Sequence, residues 1–102
     1  MSLKKQYLKT RSICKVTFKV PKKAAKGAKT ISVVGEFNNW DVSANPMKSF
    51  KNGGFSTTID LDRDREYQFR YLLDDTRWEN DWTADKYIPS EAGDCDNSVV
   101  VL

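Results

Sequence analysis

The sequence predicts an all-β fold, a two-sheet antiparallel sandwich, and three observations carry that expectation. Its apolar stretches alternate with period two rather than 3.6. Turn signals separate those stretches at short intervals. The chain of 102 residues, 39% hydrophobic and 12% aromatic, holds apolar mass for one compact core and no more.

The elements follow in order. Residues 1–11 are basic and lack an apolar run, so they read as a solvated leading segment, or as an arm that meets something anionic. The domain proper is expected over residues 12–102. From Ser12 to Val20, Cys14, Val16, Phe18 and Val20 face one way while Lys15, Thr17 and Lys19 face the other, a half-buried strand. Pro21 stops the ladder, and Lys22 to Lys29 is a connection with room for one helical turn or none. Thr30 to Glu36 is rich in β-branched residues and reads as the second strand. Phe37 to Pro46 carries three asparagines and a proline and reads as a turn-forming stretch.

Met47 to Phe50 and Phe55 to Leu61 flank Lys51-Asn52-Gly53-Gly54, whose Asn-Gly pair signals a hairpin. A charged turn at Asp62 to Arg65 leads into a long strand, Glu66 to Asp74. There Tyr67, Phe69, Tyr71 and Leu73 lie on the inward face, and Gln68, Arg70 and Leu72 on the other. Arg77 to Asn80 can pair back as a short strand. Asp81 to Asp96 reads as an irregular polar loop, and Asn97 to Leu102 as the end strand. Six to eight short strands in about 100 residues match a sandwich.

Composition excludes much chemistry. With no histidine and two cysteines, the chain cannot assemble a Ser/His/Asp triad, a Cys/His pair or a four-ligand Cys/His zinc site. No cofactor motif is present. Its longest apolar run, Val99 to Leu102, is far below the roughly 20 residues of a membrane helix, so the chain reads as soluble. The opening lysines have no apolar stretch behind them, so they are no secretory signal, and a cytoplasmic location is expected. Cys14 and Cys95 are then expected to be reduced, with a disulfide between first and last strand as the alternative. Charge is lopsided: residues 1–29 hold ten Lys/Arg and no acid, whereas residues 30–102 hold seven Lys/Arg against fourteen acids.

The informative residues are those that a core does not require. Trp40 stands in a turn after a strand, Trp78 lies beyond the turn at Asp74-Asp75-Thr76, and Trp82 follows in a polar loop. An exposed indole offers a flat apolar face with a polar edge, suited to the C–H-rich face of a pyranose or to a nucleobase. The alternative is that each indole caps an open end of the core. Arg70 projects away from the core, where its fork can serve two adjacent hydroxyls or pair with Glu79 or Asp81. Asp81 and Asp85 could be posed as paired glycosidase acids, but such pairs need a cleft spanning roughly 5 to 9.5 Å. Solvated or turn-capping acids are the expectation instead. Asn38 and Asn39 are expected to shape the turn, Phe37 to plug the core beneath it, and Gly35 to allow close backbone approach or a bulge at the strand end.

Several pieces occur in an order that resembles a known family: Val33 to Asp41 (VVGEFNNWD), Pro46-Met47, Gly54-Phe55, Tyr67 to Tyr71 (YQFRY), Asp74, Trp78, Asn80-Asp81 and Asn97 to Val100. Across residues 31–101 the chain is similar to the family 48 carbohydrate-binding modules at the N-terminal side of isoamylase, pullulanase and glucan branching enzymes. It also resembles the glycogen-binding domain of the AMP-activated protein kinase beta subunit. The resemblance implies an immunoglobulin-like, early-set sandwich that binds α-1,4-glucan, such as glycogen or maltooligosaccharide, without cleaving it. By the same resemblance, Trp40 and Trp78 stack on consecutive glucose rings while Arg70 and Asn97 meet hydroxyls.

Departures from the family pattern carry expectations too. The turn Asp74 to Arg77 is longer than the usual Asp-Gly turn, which would re-aim Trp78. The leucine and threonine that help grip glycogen in the kinase subunit have no match in Gly93-Asp94-Cys95-Asp96, so weaker binding is expected. Trp82 stands where many members have proline and is expected to pack in its loop. The leading expectation is thus a stand-alone, non-catalytic α-glucan-binding module. The alternative is a protein-interaction domain of the same fold with a degenerate sugar site, recruiting a glucan-processing enzyme or another protein. Nucleic-acid binding through the early basic residues is a third reading, opposed by the acidic remainder.

Overall fold

A computed structural model describes residues 1–91, 93 and 95–102. Two antiparallel sheets face each other. The first has the order β1 (Ser2–Tyr7), β2 (Ile13–Val20), β5 (Phe55–Asp62), β4 (Lys48–Ser49). The second runs β3 (Ile31–Gly35), β6 (Glu66–Leu73), β9 (Asp96–Val101), β8 (Lys86–Pro89), with β7 (Arg77–Glu79) paired to β6 beyond the end of β9. One helical turn, α1 (Lys22–Ala25), joins β2 to β3. The expected all-β sandwich is the observed fold.

The core forms where the apolar faces meet. Cys14, Val16, Phe18 and Val20 of β2 are buried against Tyr67, Phe69, Tyr71 and Leu73 of β6, as their alternation requires. Across the interface the Phe18 and Phe69 rings stand edge to face at 5.2 Å, and Phe69 meets Tyr71 the same way at 5.7 Å. Phe37 plugs one end, 5.7 Å from Phe18 and 6.2 Å from Tyr67. Cys14 lies in this interior, where burial pushes its thiol up, while Cys95 is exposed. The β4–β5 hairpin closes as its Asn-Gly pair predicts, with Gly53 at φ +88° and Gly54 N–H donating to Asn52 Oδ1 at 2.9 Å.

Three expectations are corrected. The leading segment, read as a solvated extension, contributes strand β1, paired in register with β2 from Ser2↔Lys19 to Tyr7↔Cys14. The stretch read as an irregular loop contains β8, paired with β9 from Lys86↔Val99 to Pro89↔Asp96. Asp81, expected as a solvated or turn-capping acid, caps a turn by accepting from Thr83 N–H at 2.8 Å, but it is fully buried. Its carboxyl accepts the Tyr71 hydroxyl at 2.7 Å, its N–H donates to Ser98 Oγ at 2.9 Å, and its carbonyl accepts the Tyr87 hydroxyl at 2.5 Å. A buried carboxyl needs such partners: Tyr71 and Thr83 supply them to the carboxyl, and Ser98 and Tyr87, on two further strands of the second sheet, hold the Asp81 backbone. Asp85 is likewise engaged, with Lys5 Nζ at 2.7 Å and Val101 N–H at 2.7 Å. Among the described residues, no helix is long and apolar enough to cross a membrane.

Candidate functional site

Trp40 is held by backbone geometry that bulky residues rarely adopt. The chain leaves β3 at Gly35, makes a 3-10 turn over Glu36–Asn38, and passes through Asn39 and Trp40 at φ 57° and 60°. A left-handed bulky residue costs on the order of 1–3 kcal/mol, so its surroundings must over-determine it. Here Trp40 N–H donates to the Gly35 carbonyl at 2.9 Å. Asn38 accepts from Gly35 N–H at 3.1 Å and donates to the Val33 carbonyl at 3.1 Å and Asn45 Oδ1 at 2.7 Å. Asn38 thus ties the loop to its own strand and to its far end. Beneath it, Gly35 lies so close to β6 that a Cβ would sit 2.4 Å from the Gln68 carbonyl oxygen. These contacts hold the loop against its own strand, and Trp40 is 38% exposed.

Strand register brings the other residues onto one face. Alternation along β6 sends Gln68, Arg70 and Leu72 outward together. Opposite them, Val34 pairs with Arg70, Val99 with Gln68 and Trp78 with Leu72. Val34, Leu72 and Val99 are buried even on this outer face, an apolar floor beside the longer polar and aromatic side chains. The hairpin before Trp78 turns through Asp74 and Asp75, both left-handed, with Thr76 N–H on the Leu73 carbonyl at 3.1 Å. Pairing with Leu72 sets Trp78 on the Arg70 face, 45% exposed and with its ring centroid 5.9 Å from the guanidinium carbon.

Arg70 pairs with neither acid proposed for it. Glu79 engages Lys26 at 2.7 Å, and Asp81 is buried on Tyr71. Instead Arg70 Nε donates to Asn97 Oδ1 at 2.6 Å, and Asn97 Nδ2 donates to Gln68 Oε1 at 3.0 Å. Asn97 is only 6% exposed. It sets the position of Arg70 more than it faces solvent.

Trp40, Arg70 and Asn97 line one open groove of about 320 Å³, and Arg70 extends from it toward Trp78. The four residues singled out in the sequence are therefore gathered on one face. The groove adds side chains that sequence reasoning missed. Glu36 belongs to it, its carboxylate fixed by Gln68 N–H at 2.6 Å, and so does Gln68, whose shared alternation with Arg70 was the available signal. Pro89, Ser90 and Glu91 close the far side. They escaped because β8 was read as loop. Trp82 lies outside the groove, 50% exposed, with its N–H 3.3 Å from Met1 Sδ. Of the stretch Gly93-Asp94-Cys95-Asp96, residue 94 lies outside the described residues.

Flat indole faces flanking a guanidinium, over a groove walled by amide and carboxylate groups, suit a ring with one apolar face and equatorial hydroxyls. A sandwich with such a groove on one sheet is the architecture of a carbohydrate-binding module. The chain belongs to carbohydrate-binding module family 48, the isoamylase N-terminal domain, whose family model matches residues 13–88. That family is non-catalytic and binds carbohydrate. Trp40, Arg70 and Trp78 fall inside the matched span and Asn97 beyond it. No curated protein matches the chain.

Proposed function

We propose that the protein binds α-1,4-glucan, glycogen or a maltooligosaccharide, across the outer face of the second sheet, and does not cleave it. The observation that carries this reading is the sharing of Arg70. Its Nε closes on Asn97 in the Trp40 groove while its guanidinium lies 5.9 Å from the Trp78 ring. One indole serves one glucose, the second indole another, and the free guanidinium N–H groups between them meet hydroxyls. An open surface with two stacking rings gives modest affinity, about micromolar to millimolar, or roughly −8 to −4 kcal/mol.

Titration with maltoheptaose, followed by tryptophan fluorescence, tests the proposal. A saturable change in the wild-type protein that weakens about tenfold or more in Trp40→Ala is expected. No saturable change, or unaltered affinity in the variant, refutes it.

A further inference from the structure

At the Val20 end of the first sheet lies a second groove, of about 370 Å³, which shares no residue with the Trp40 groove. Val20, Pro21, Phe50 and Phe55 wall it. Phe50, at the hairpin, is 48% exposed although a large aromatic gains by burial. Three lysines surround these walls. Lys19 lines the groove, and Lys48 Nζ is 5.9 Å from the centroid of the Phe50 ring. The Lys22 stem lies along Gly53, where a Cβ would come within 2.8 Å of it. Among the described residues, none of the three has an ion-pair partner and no carboxylate lines the groove. Lys19 and Lys22 come from the basic first 29 residues and Lys48 from the hairpin, so the fold assembles the cluster.

We infer that this groove docks an acidic, extended peptide segment carrying one large apolar side chain. An apolar anchor seated in a pocket beside a charged rim is the arrangement that concentrates binding energy at protein interfaces. Unpaired lysines with no competing acid select negative charge and exclude basic partners. A free phosphate would engage the lysines yet leave the exposed Phe50 ring wet. A membrane surface is flat, whereas this groove is concave. Placement on the other sheet leaves the Trp40 groove open, so peptide and sugar occupy the molecule together.

The test uses the full chain, ¹⁵N-labelled, and a blocked hexapeptide of five acidic residues around one phenylalanine. Saturable amide shifts confined to residues 1–2, 19–22 and 48–56, the lining and its immediate neighbours, are expected, with affinity falling about tenfold when salt is raised well above physiological strength. The double variant Lys19→Glu/Lys48→Glu and the single variant Phe50→Ser should each lose about tenfold or more while keeping the dispersed spectrum of the folded protein. Replacing the peptide's phenylalanine by serine should cost a similar factor. Absence of shifts, shifts spread over all lysines, equal binding of the serine peptide, or tighter binding to anionic phospholipid vesicles than to the peptide each overturns the inference. Because the readout is residue-specific and needs no sugar, it stands whether or not maltoheptaose binds.

Discussion

Arg70 and Asn97, 27 positions apart in the chain, meet through a 2.6 Å hydrogen bond from Nε to Oδ1. That bond commits the one guanidinium donor nearest the backbone and leaves the terminal N–H groups to face the groove. Asn97 in turn is held by Gln68, so three side chains from two adjacent strands fix the aim of one cation.

Replacing Arg70 by lysine keeps the charge but removes Nε and the planar fork. Affinity for maltoheptaose, measured by calorimetry, should fall about tenfold, with a lower melting temperature as well because the nearly buried Asn97 Oδ1 loses its Nε donor. Asn97→Ala instead strands Arg70 and Gln68, and should cost about 1–3 kcal/mol of stability in urea unfolding as well as affinity. A lysine variant that binds like wild type would remove Arg70 from the site.

Gly35→Ala places a methyl 2.4 Å from the Gln68 carbonyl oxygen and 2.7 Å from Phe69 Cβ, both on a central strand. Backbone there cannot yield cheaply, so a loss of at least about 1–3 kcal/mol is expected. Thermal unfolding should show it, together with weaker sugar binding as the Trp40 loop is displaced.

Burial, and then the Asp81 carboxyl beside it, hold the Tyr71 phenol well above its ordinary range. The folded state therefore keeps this proton at a pH where the unfolded chain has released it. Its contribution is fully present below about pH 10 and is lost as pH rises toward the folded value. Urea midpoints compared between neutral and strongly alkaline pH should drop more steeply in wild type than in Tyr71→Phe. Parallel slopes would contradict this.

Asp74 behaves oppositely. The Thr30 and Lys29 N–H groups, and then Arg77, lower its carboxyl below the ordinary range. The lowered value means that its contribution exists above the usual carboxylate range and disappears as pH falls through the folded one. Asp74→Asn keeps an acceptor and tolerates the left-handed backbone, φ 52°, while removing the charge. It should be less stable than wild type near neutrality and indistinguishable from it in strong acid, as followed by urea midpoints across that range.

Much of the architecture could be read directly from the chain. Strands β2 and β6 announce themselves because each buries one face, so apolar residues recur at every second position. The Asn52-Gly53 turn is equally local, since it follows from what one backbone position requires, whereas the glycine at position 35 marks a tight spot whose partner, β6, only the fold supplies. Edge strands β1 and β8 carry little such alternation. Each pairs on one side only, β1 with Lys4 and Lys5 in its middle and β8 with Lys86 at its start and Pro89 at its end, so its strand character comes from a partner strand rather than from its own pattern. Asp81 shows the same limit. Its residue type says solvent; the Tyr71 hydroxyl, brought to it across the fold, and the local Thr83 donors make burial of the carboxyl tolerable, while Ser98 and Tyr87 fix its backbone.

The sequence by itself determined the two-sheet sandwich, the period-two faces and the residue types of the candidate sugar surface, because alternation, turn chemistry and side-chain identity are properties of neighbours along the chain. Only the tertiary structure decided that Arg70 turns to Asn97 rather than to Glu79 or Asp81, that Glu36 and Gln68 join the groove, and that three lysines gather around Phe50. Those outcomes depend on which strands lie side by side and in what register, and register is settled by the whole core packing at once.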